Sequence, residues 1–352
     1  MAQWMRNENE LDDFQHQVAT MEIDKSMAVI GCAGSGKSII ALHKAKQIAA
    51  VDGEYFVIVY TKALRKFIED GVRTLDLDPG RVVYENQWSR QGSPPAPYII
   101  IDEAQDFTQD QIKVFLSKYS ESVSFFGDSA QQLYNNRMQM NDIIGMDKKL
   151  SVQKLEWNYR LPKKVARVAE YLLADDHNDT NFVNRCRLEG EQKPQIYQFS
   201  DSGAQLDYII KSIEDKNLTD VGILVPTNKL VDKVKIYLEN KGLTPEVKLR
   251  NKNTPNANND EITLDFTSQN PKILTYHSAK GLQFNDVFLP FCESATIDHP
   301  KTPDFYQKPL YVAFTRTLNN VYVLFTDEMS AYFDDVPEDL YLTQDSKGDV
   351  DF

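Results

Sequence analysis

Eight consecutive residues constrain this chain more than any other feature: Gly31-Cys32-Ala33-Gly34-Ser35-Gly36-Lys37-Ser38. They fit G-x-x-x-x-G-K-[ST], a loop whose backbone N–H groups cradle phosphate. An apolar run at 27–30 precedes the loop and an amphipathic stretch at 37–50 follows it. The glycines therefore lie between a strand and the first turn of a helix, where free N–H groups and the positive end of the helix dipole face an anion. A Cβ at these glycines would block close approach of that anion. The pattern assigns all eight residues to nucleotide phosphates, with Lys37 bridging the β- and γ-phosphates and Ser38 binding Mg²⁺.

Short apolar runs at 55–60, 98–101 and 123–126 alternate with helical patterns through the first half. That alternation indicates a parallel sheet covered on both faces. A second series begins near residue 194, with strands at 195–199, 221–225, 272–275, 287–290 and 321–325 and helical patterns at 205–214 and 229–240. The fold class expected is α/β, in two domains at 1–160 and 194–330. A helical connection occupies 161–193, and an acidic, disordered tail follows at 331–352. The Asn-rich segment 251–259 reads as a long loop.

The run Tyr98-Ile99-Ile100-Ile101-Asp102-Glu103-Ala104-Gln105-Asp106 puts carboxylates at the carboxyl end of a buried strand. In a parallel sheet, ligands bind at that edge. Asp102 is assigned to Mg²⁺, and Glu103 to orienting and deprotonating an attacking water.

The net charge of −13 argues at first against a nucleic-acid partner. Nine acids and one lysine lie in 327–352, however, leaving about −5 for the rest, and a local basic groove is compatible with that balance. Cys32, Cys186 and Cys292 are far apart, without metal-ligand or disulfide spacing. No apolar run approaches the length of a membrane span, and the first residues lack a secretory pattern. A cytoplasmic protein with no membrane partner is expected.

With these motifs placed, the chain resembles the UvrD/Rep/PcrA branch of superfamily 1 helicases, whose second motif is typically DEAQD. The resemblance runs in order from Gln15 to Arg316 and implies two tandem RecA-like P-loop domains using ATP and Mg²⁺ on single-stranded DNA, with RNA the alternative. By the same likeness Gln15, in Leu11-Asp12-Asp13-Phe14-Gln15, reads adenine, with Gln17 a competitor. Gln131, in Gly127-Asp128-Ser129-Ala130-Gln131, senses the γ-phosphate. In Asn158-Tyr159-Arg160, Tyr159 stacks on adenine and Arg160 reaches the γ-phosphate. Thr275-Tyr276-His277-Ser278-Ala279-Lys280-Gly281-Leu282-Gln283 contributes Thr275 and His277 to the nucleic-acid backbone, and Gly281 and Gln283 to the nucleotide. Leu310-Tyr311-Val312-Ala313-Phe314-Thr315-Arg316 supplies an arginine finger, Arg316. Thr61, Trp88 and Tyr134 complete the expected nucleic-acid contacts. Trp88 and Tyr134 are equally readable as packing residues.

Three departures from the pattern bear on function. Gln283 stands where the family has glutamate. Asn136 stands where a base-stacking aromatic is common. Only residues 91–99 are available for the first accessory domain of longer relatives, and fewer than 50 residues for the second. The expected activity is ATP-driven movement on single-stranded DNA, 3′ to 5′. The alternative is an ATPase subunit that powers or gates a nuclease or other protein partner.

Overall fold

Segments such as Tyr-Phe-Val-Ile-Val at 55–59 are apolar at every position because both faces of their sheet are covered. A computed structural model describes residues 4–128, 137–173, 182–190, 192–249, 261–298 and 305–344 of the chain. It divides into two units between Tyr159 and Arg160. Both are α/β, with parallel sheets flanked by helices, as the alternating patterns predict. This architecture is consistent with tandem RecA-like domains.

The first unit runs α1 (Asp13–Ala19), β1 (Met27–Gly31), α2 (Lys37–Ala49), β2 (Tyr55–Val59), α3 (Lys62–Phe67), α4 (Glu69–Thr74), β3 (Val82–Tyr84), α5 (Glu85–Arg90), β4 (Ala96–Ile101), α6 (Gln109–Lys118), β5 (Tyr119–Gly127), α7 (Met140–Met146) and β6 (Ser151–Leu155). Its strand order is β3-β2-β4-β5-β1-β6, and all pairings are parallel. The phosphate-loop strand β1 lies inside the sheet, with β5 between it and β4. Ile99, Ile101, Val123 and Phe125 from the central strands meet Phe107, Ile112, Phe115 and Trp88 in the core.

β7 (Asn158–Pro162) carries the chain onward and makes a two-stranded sheet with β8 (Cys186–Leu188). α8 (Lys163–Leu172) and α9 (Phe182–Arg185) stand between them in sequence. The remaining elements are β9 (Gln195–Phe199), α10 (Ser202–Asp215), β10 (Val221–Val225), α11 (Asn228–Asn240), β11 (Glu246–Leu249), β12 (Glu261–Ile262), β13 (Lys272–Thr275), β14 (Phe284–Leu289), α12 (Ser294–Ile297), α13 (Gln307–Phe314) and β15 (Thr317–Thr326). The seven-stranded order is β12-β11-β13-β10-β14-β15-β9, and β12 is the antiparallel member.

Two expectations about connections change. The segment expected as a connection at 161–193 contributes α8, which packs against α13 of the second unit. The expected disordered tail is ordered at 331–344. Phe333 and Val336 are buried among its acids. The Leu342 carbonyl accepts from Ile196 N at 2.9 Å, while Leu342 N donates to the Pro194 carbonyl at 2.8 Å. β9 is an edge strand, whose open backbone groups invite such pairing. The acidic count concealed the two apolar anchors. Residues 345–352 and the Asn-rich segment lie outside the described residues.

The short space before β4 is spanned by a tight turn. Ser93 N and Gln91 N both donate to the Trp88 carbonyl, and Gly92 and Ser93 take positive φ values of 83° and 52°. α5 thus leads into β4 with no room for an inserted domain.

Candidate active site

The phosphate loop joins β1 to α2. Gly36 at its end has φ 89°, and a Cβ there would lie 2.5 Å from Gln15 Nε2. Conformation and space both call for glycine. The ammonium of Lys37 donates to the carbonyls of Gly31 at 2.8 Å and Cys32 at 3.0 Å, holding its charge at the mouth of the loop.

Asp102 directly follows β4. Ser38 Oγ donates to Asp102 Oδ2 at 2.5 Å, so the two residues assigned to Mg²⁺ converge. Burial, then the adjacent Glu103 carboxylate, push the Asp102 carboxyl up to about 6. A buried carboxylate and a hydroxyl are oxygen ligands of the kind Mg²⁺ takes alongside phosphate oxygens and waters. The residues present fit that ion.

Glu103 has a left-handed backbone, φ 55°, and its side chain is buried. Gln105 Nε2 donates to Glu103 Oε2 at 2.5 Å, and Gln105 Oε1 accepts from Asp128 N at 3.0 Å. A Cβ on Gly127 would lie 2.3 Å from Met140 Sδ and 2.7 Å from that same Gln105 oxygen, so a larger residue there would displace both side chains. Gln105, fully buried, thus ties the carboxylate to the end of β5. Sequence reasoning passed over Gln105. The available signal was an amide two residues from Glu103 and next to Asp106. Gln131 and Tyr134 lie outside the described residues.

One side of the loop is braced by α1 and by Tyr159 of β7. Gln15 Nε2 donates to the Ser35 carbonyl at 2.9 Å, and Gln15 Oε1 accepts from Asp12 N at 3.2 Å. Both ends of the amide therefore brace backbone, leaving one N–H and one lone pair free for a ligand. Tyr159 N donates to the Gly34 carbonyl at 3.0 Å, and the Tyr159 hydroxyl donates to Asp12. Gln17, the competing amide, is not among the groups that meet the loop.

In the second unit, Arg316 is 1% exposed, and its guanidinium donates to the Val312 carbonyl at 2.8 Å, the Leu282 carbonyl at 3.4 Å and Thr315 Oγ1 at 3.3 Å. These three bonds lie within its own unit. Gly281, at φ 79°, ends the turn that precedes Leu282. Gln283 is half-buried just before β14. Arg160 is buried on β7. Thr275, at the end of β13, accepts from Ser278 N at 3.2 Å and donates to Ser278 Oγ at 3.0 Å. Burial, then Lys280, lower the His277 imidazole below its ordinary value, so it is neutral at pH 7.

The expected nucleic-acid contacts fare unevenly. Trp88 is 1% exposed and tilted against Phe115 at 5.4 Å. It is a core residue because α5 lays it under the sheet, and the even choice between contact and packing resolves to packing. Thr61 caps α3, accepting from Leu64 N at 3.1 Å. Around it lies a cluster the sequence did not single out. Tyr60 follows β2 and Tyr84 ends β3, and the two strands are neighbours, with Val59 paired to Tyr84. Lys62 Nζ lies 5.5 Å from the Tyr84 ring centroid, and the Arg137 guanidinium 6.0 Å from that of Tyr60. All four side chains are half-buried at the carboxyl edge of the sheet.

Cys32 is partly exposed in the loop, and Cys186 and Cys292 are buried; none forms a disulfide. Burial pushes the Cys292 thiol up to about 12, so it is inert. Among the described residues no helix is long and apolar enough to cross a membrane.

No family model matches the chain. A protein of Acanthamoeba polyphaga mimivirus, provisionally named ATP-dependent DNA helicase R568, is 24% identical over 246 residues. That alignment covers 64% of this chain and 34% of the relative. The chain thus spans about a third of the length of the curated relative it matches. Among solved structures, arterivirus nonstructural protein 10, a helicase, covers 88% of this chain and 62% of its own at 13% identity and TM-score 0.46. The C-terminal domain of a provisionally named DNA helicase from Lactobacillus plantarum WCFS1 covers 53% of this chain and 98% of its own, at 13% identity and TM-score 0.39.

Proposed function

We propose that the chain is a Mg²⁺-dependent ATPase of superfamily 1 type that acts on single-stranded nucleic acid. The observation that carries this reading is the meeting of Ser38, at the end of a glycine loop, with Asp102, beside Glu103, at 2.5 Å from Ser38 Oγ. Loop N–H groups and Lys37 bind the phosphates, and Ser38 and Asp102 hold Mg²⁺. When bound, that ion neutralises charge that develops on the phosphoryl oxygens. Glu103, oriented by Gln105, positions a water and takes its proton. Tyr159 stacks on the base, and the free N–H and lone pair of Gln15 meet its edge. Arg160 and Arg316 supply positive charge for the transition state, Arg316 after release from the Val312 and Leu282 carbonyls. A planar guanidinium suits that spread charge.

In this reading single-stranded DNA crosses the carboxyl edge of the first unit at Tyr60, Thr61, Lys62, Tyr84 and Arg137, with Thr275 and His277 contacting its backbone from the second. Gln131 couples that path to the nucleotide, and Tyr134 contacts the strand. Movement is 3′ to 5′, by the resemblance to UvrD-type motors. The tight turn at 91–93 supports a second reading, a partner-dependent subunit that powers or gates a nuclease, since nothing occupies the place of the first accessory domain. The mimivirus likeness agrees with an ATP-dependent enzyme of helicase kind.

The test is phosphate release from Mg²⁺-ATP by the wild type and by Lys37→Ala. Hydrolysis that disappears in the variant is expected. Hydrolysis undiminished in Lys37→Ala contradicts the assignment of the loop.

A further inference from the structure

A closed circuit of hydrogen bonds runs behind the phosphate loop, and Asp12 is its junction. One carboxylate oxygen accepts from Gln15 N at 2.9 Å and caps α1; the other accepts from the Tyr159 hydroxyl, 147 residues away in sequence. Gln15 continues to the Ser35 carbonyl at 2.9 Å, and Tyr159 N to the Gly34 carbonyl at 3.0 Å. Gly34 and Ser35 are adjacent, so the circuit closes. The carbonyl and N–H of a trans peptide point in opposite directions. Tying the Ser35 carbonyl to Gln15 therefore turns the Gly36 N–H away from Gln15, toward the side where a loop of this type receives phosphate.

We propose that Asp12 is a positioning residue of the nucleotide site, joining the Tyr159 ring to the Ser35–Gly36 peptide so that the base and phosphate ends are held as one unit. This rests on the reading that a nucleotide occupies the loop. Asp12 touches neither the nucleotide nor the reacting atoms. It acts through Tyr159 on one side and Gln15 on the other. A carboxylate is suited to the place because it offers two oxygens to two donors at once, which a hydroxyl or a single amide oxygen does not.

Helix capping and positioning are separable. Asp12→Ser keeps an N-cap oxygen for Gln15 N but has no second oxygen for Tyr159. Tyr159→Phe removes only the hydroxyl. Both are to be compared with Asp12→Ala by thermal melting, by binding of a fluorescent N-methylanthraniloyl-ADP with Mg²⁺, and by steady-state ATP hydrolysis. Asp12→Ser is expected to recover the melting temperature that Asp12→Ala loses. Its Kd and KM remain raised about three- to tenfold, with kcat within about twofold, since fixing a ground-state geometry acts mainly on binding. Tyr159→Phe raises Kd in the same direction, and the double variant Asp12→Ser/Tyr159→Phe is no weaker than Asp12→Ser. Wild-type Kd and KM in Asp12→Ser, or additive losses in the double variant, overturn the inference alone. A wild type that does not bind the ADP analogue overturns the nucleotide reading and this inference with it.

Discussion

Glu103 reaches its place by a backbone at φ 55° and a hydrogen bond from Gln105. If it is the general base, Glu103→Gln lowers kcat by about 100- to 10,000-fold while ADP still binds. Gln105→Leu, which removes a bond to a charged group of about 1.5–3 kcal/mol, lowers kcat by about tenfold or more with little change in ADP affinity. Rapid-quench hydrolysis and equilibrium binding read the two effects separately. A different buried charge gives a pH signature. Burial lowers the Lys44 ammonium, which donates to the Glu22 carbonyl, from 10.5 to about 8. A lowered lysine binds fewer protons folded than unfolded between those values, so its contribution to stability rises with pH across that window. Wild type is therefore expected to gain melting temperature relative to Lys44→Met between about pH 8 and 10, measured by parallel thermal scans. A gap that stays constant over that range counts against the assignment. Lys37, Ser38, Asp102 and Glu103 were legible because a fixed spacing carries their chemistry. Asp12 and Gln105 were not, since their roles depend on partners 147 and 23 residues distant, Tyr159 and Asp128.

At the scale of elements, the strands buried on both faces were readable from unbroken apolar runs. β3 and β12 escaped because they have only three and two residues. β6 escaped because it is an edge strand with alternating exposed positions. The aromatic residues illustrate the limit most clearly. Trp88 and Tyr84 are four residues apart, yet α5 buries one while the end of β3 leaves the other half-exposed. Trp88→Ala is expected to destabilise the first unit by about 3–5 kcal/mol with no selective loss of nucleic-acid affinity. Tyr84→Ala is expected to cost about 1–3 kcal/mol in single-stranded DNA binding with an unchanged melting temperature. Denaturation curves and fluorescence-anisotropy titrations of an oligonucleotide distinguish the two. The ordered 331–344 segment is a further case: Phe333→Ala is expected to destabilise the second unit by about 3–5 kcal/mol, visible as a lower unfolding midpoint.

For the whole molecule, the α/β class and the presence of two sheets followed from periodicity; the chain divides between Tyr159 and Arg160, where a first domain of 1–160 was expected. β7 runs through the division, so composition marks no linker there. The two units carry different parts of the proposed chemistry: the loop, the acids and the base-side residues in one, Arg160 and Arg316 in the other. In the proposed account hydrolysis is slow without a strand, and single-stranded DNA is the proposed activator. The most direct measurement is the ATP hydrolysis rate of the full chain with and without single-stranded DNA, with Glu103→Gln as the blank. The account predicts a rate that rises with the strand's concentration, saturates, and vanishes in the variant. A wild-type rate that is measurable, lost in Glu103→Gln, and indifferent to the strand at every concentration contradicts the nucleic-acid motor.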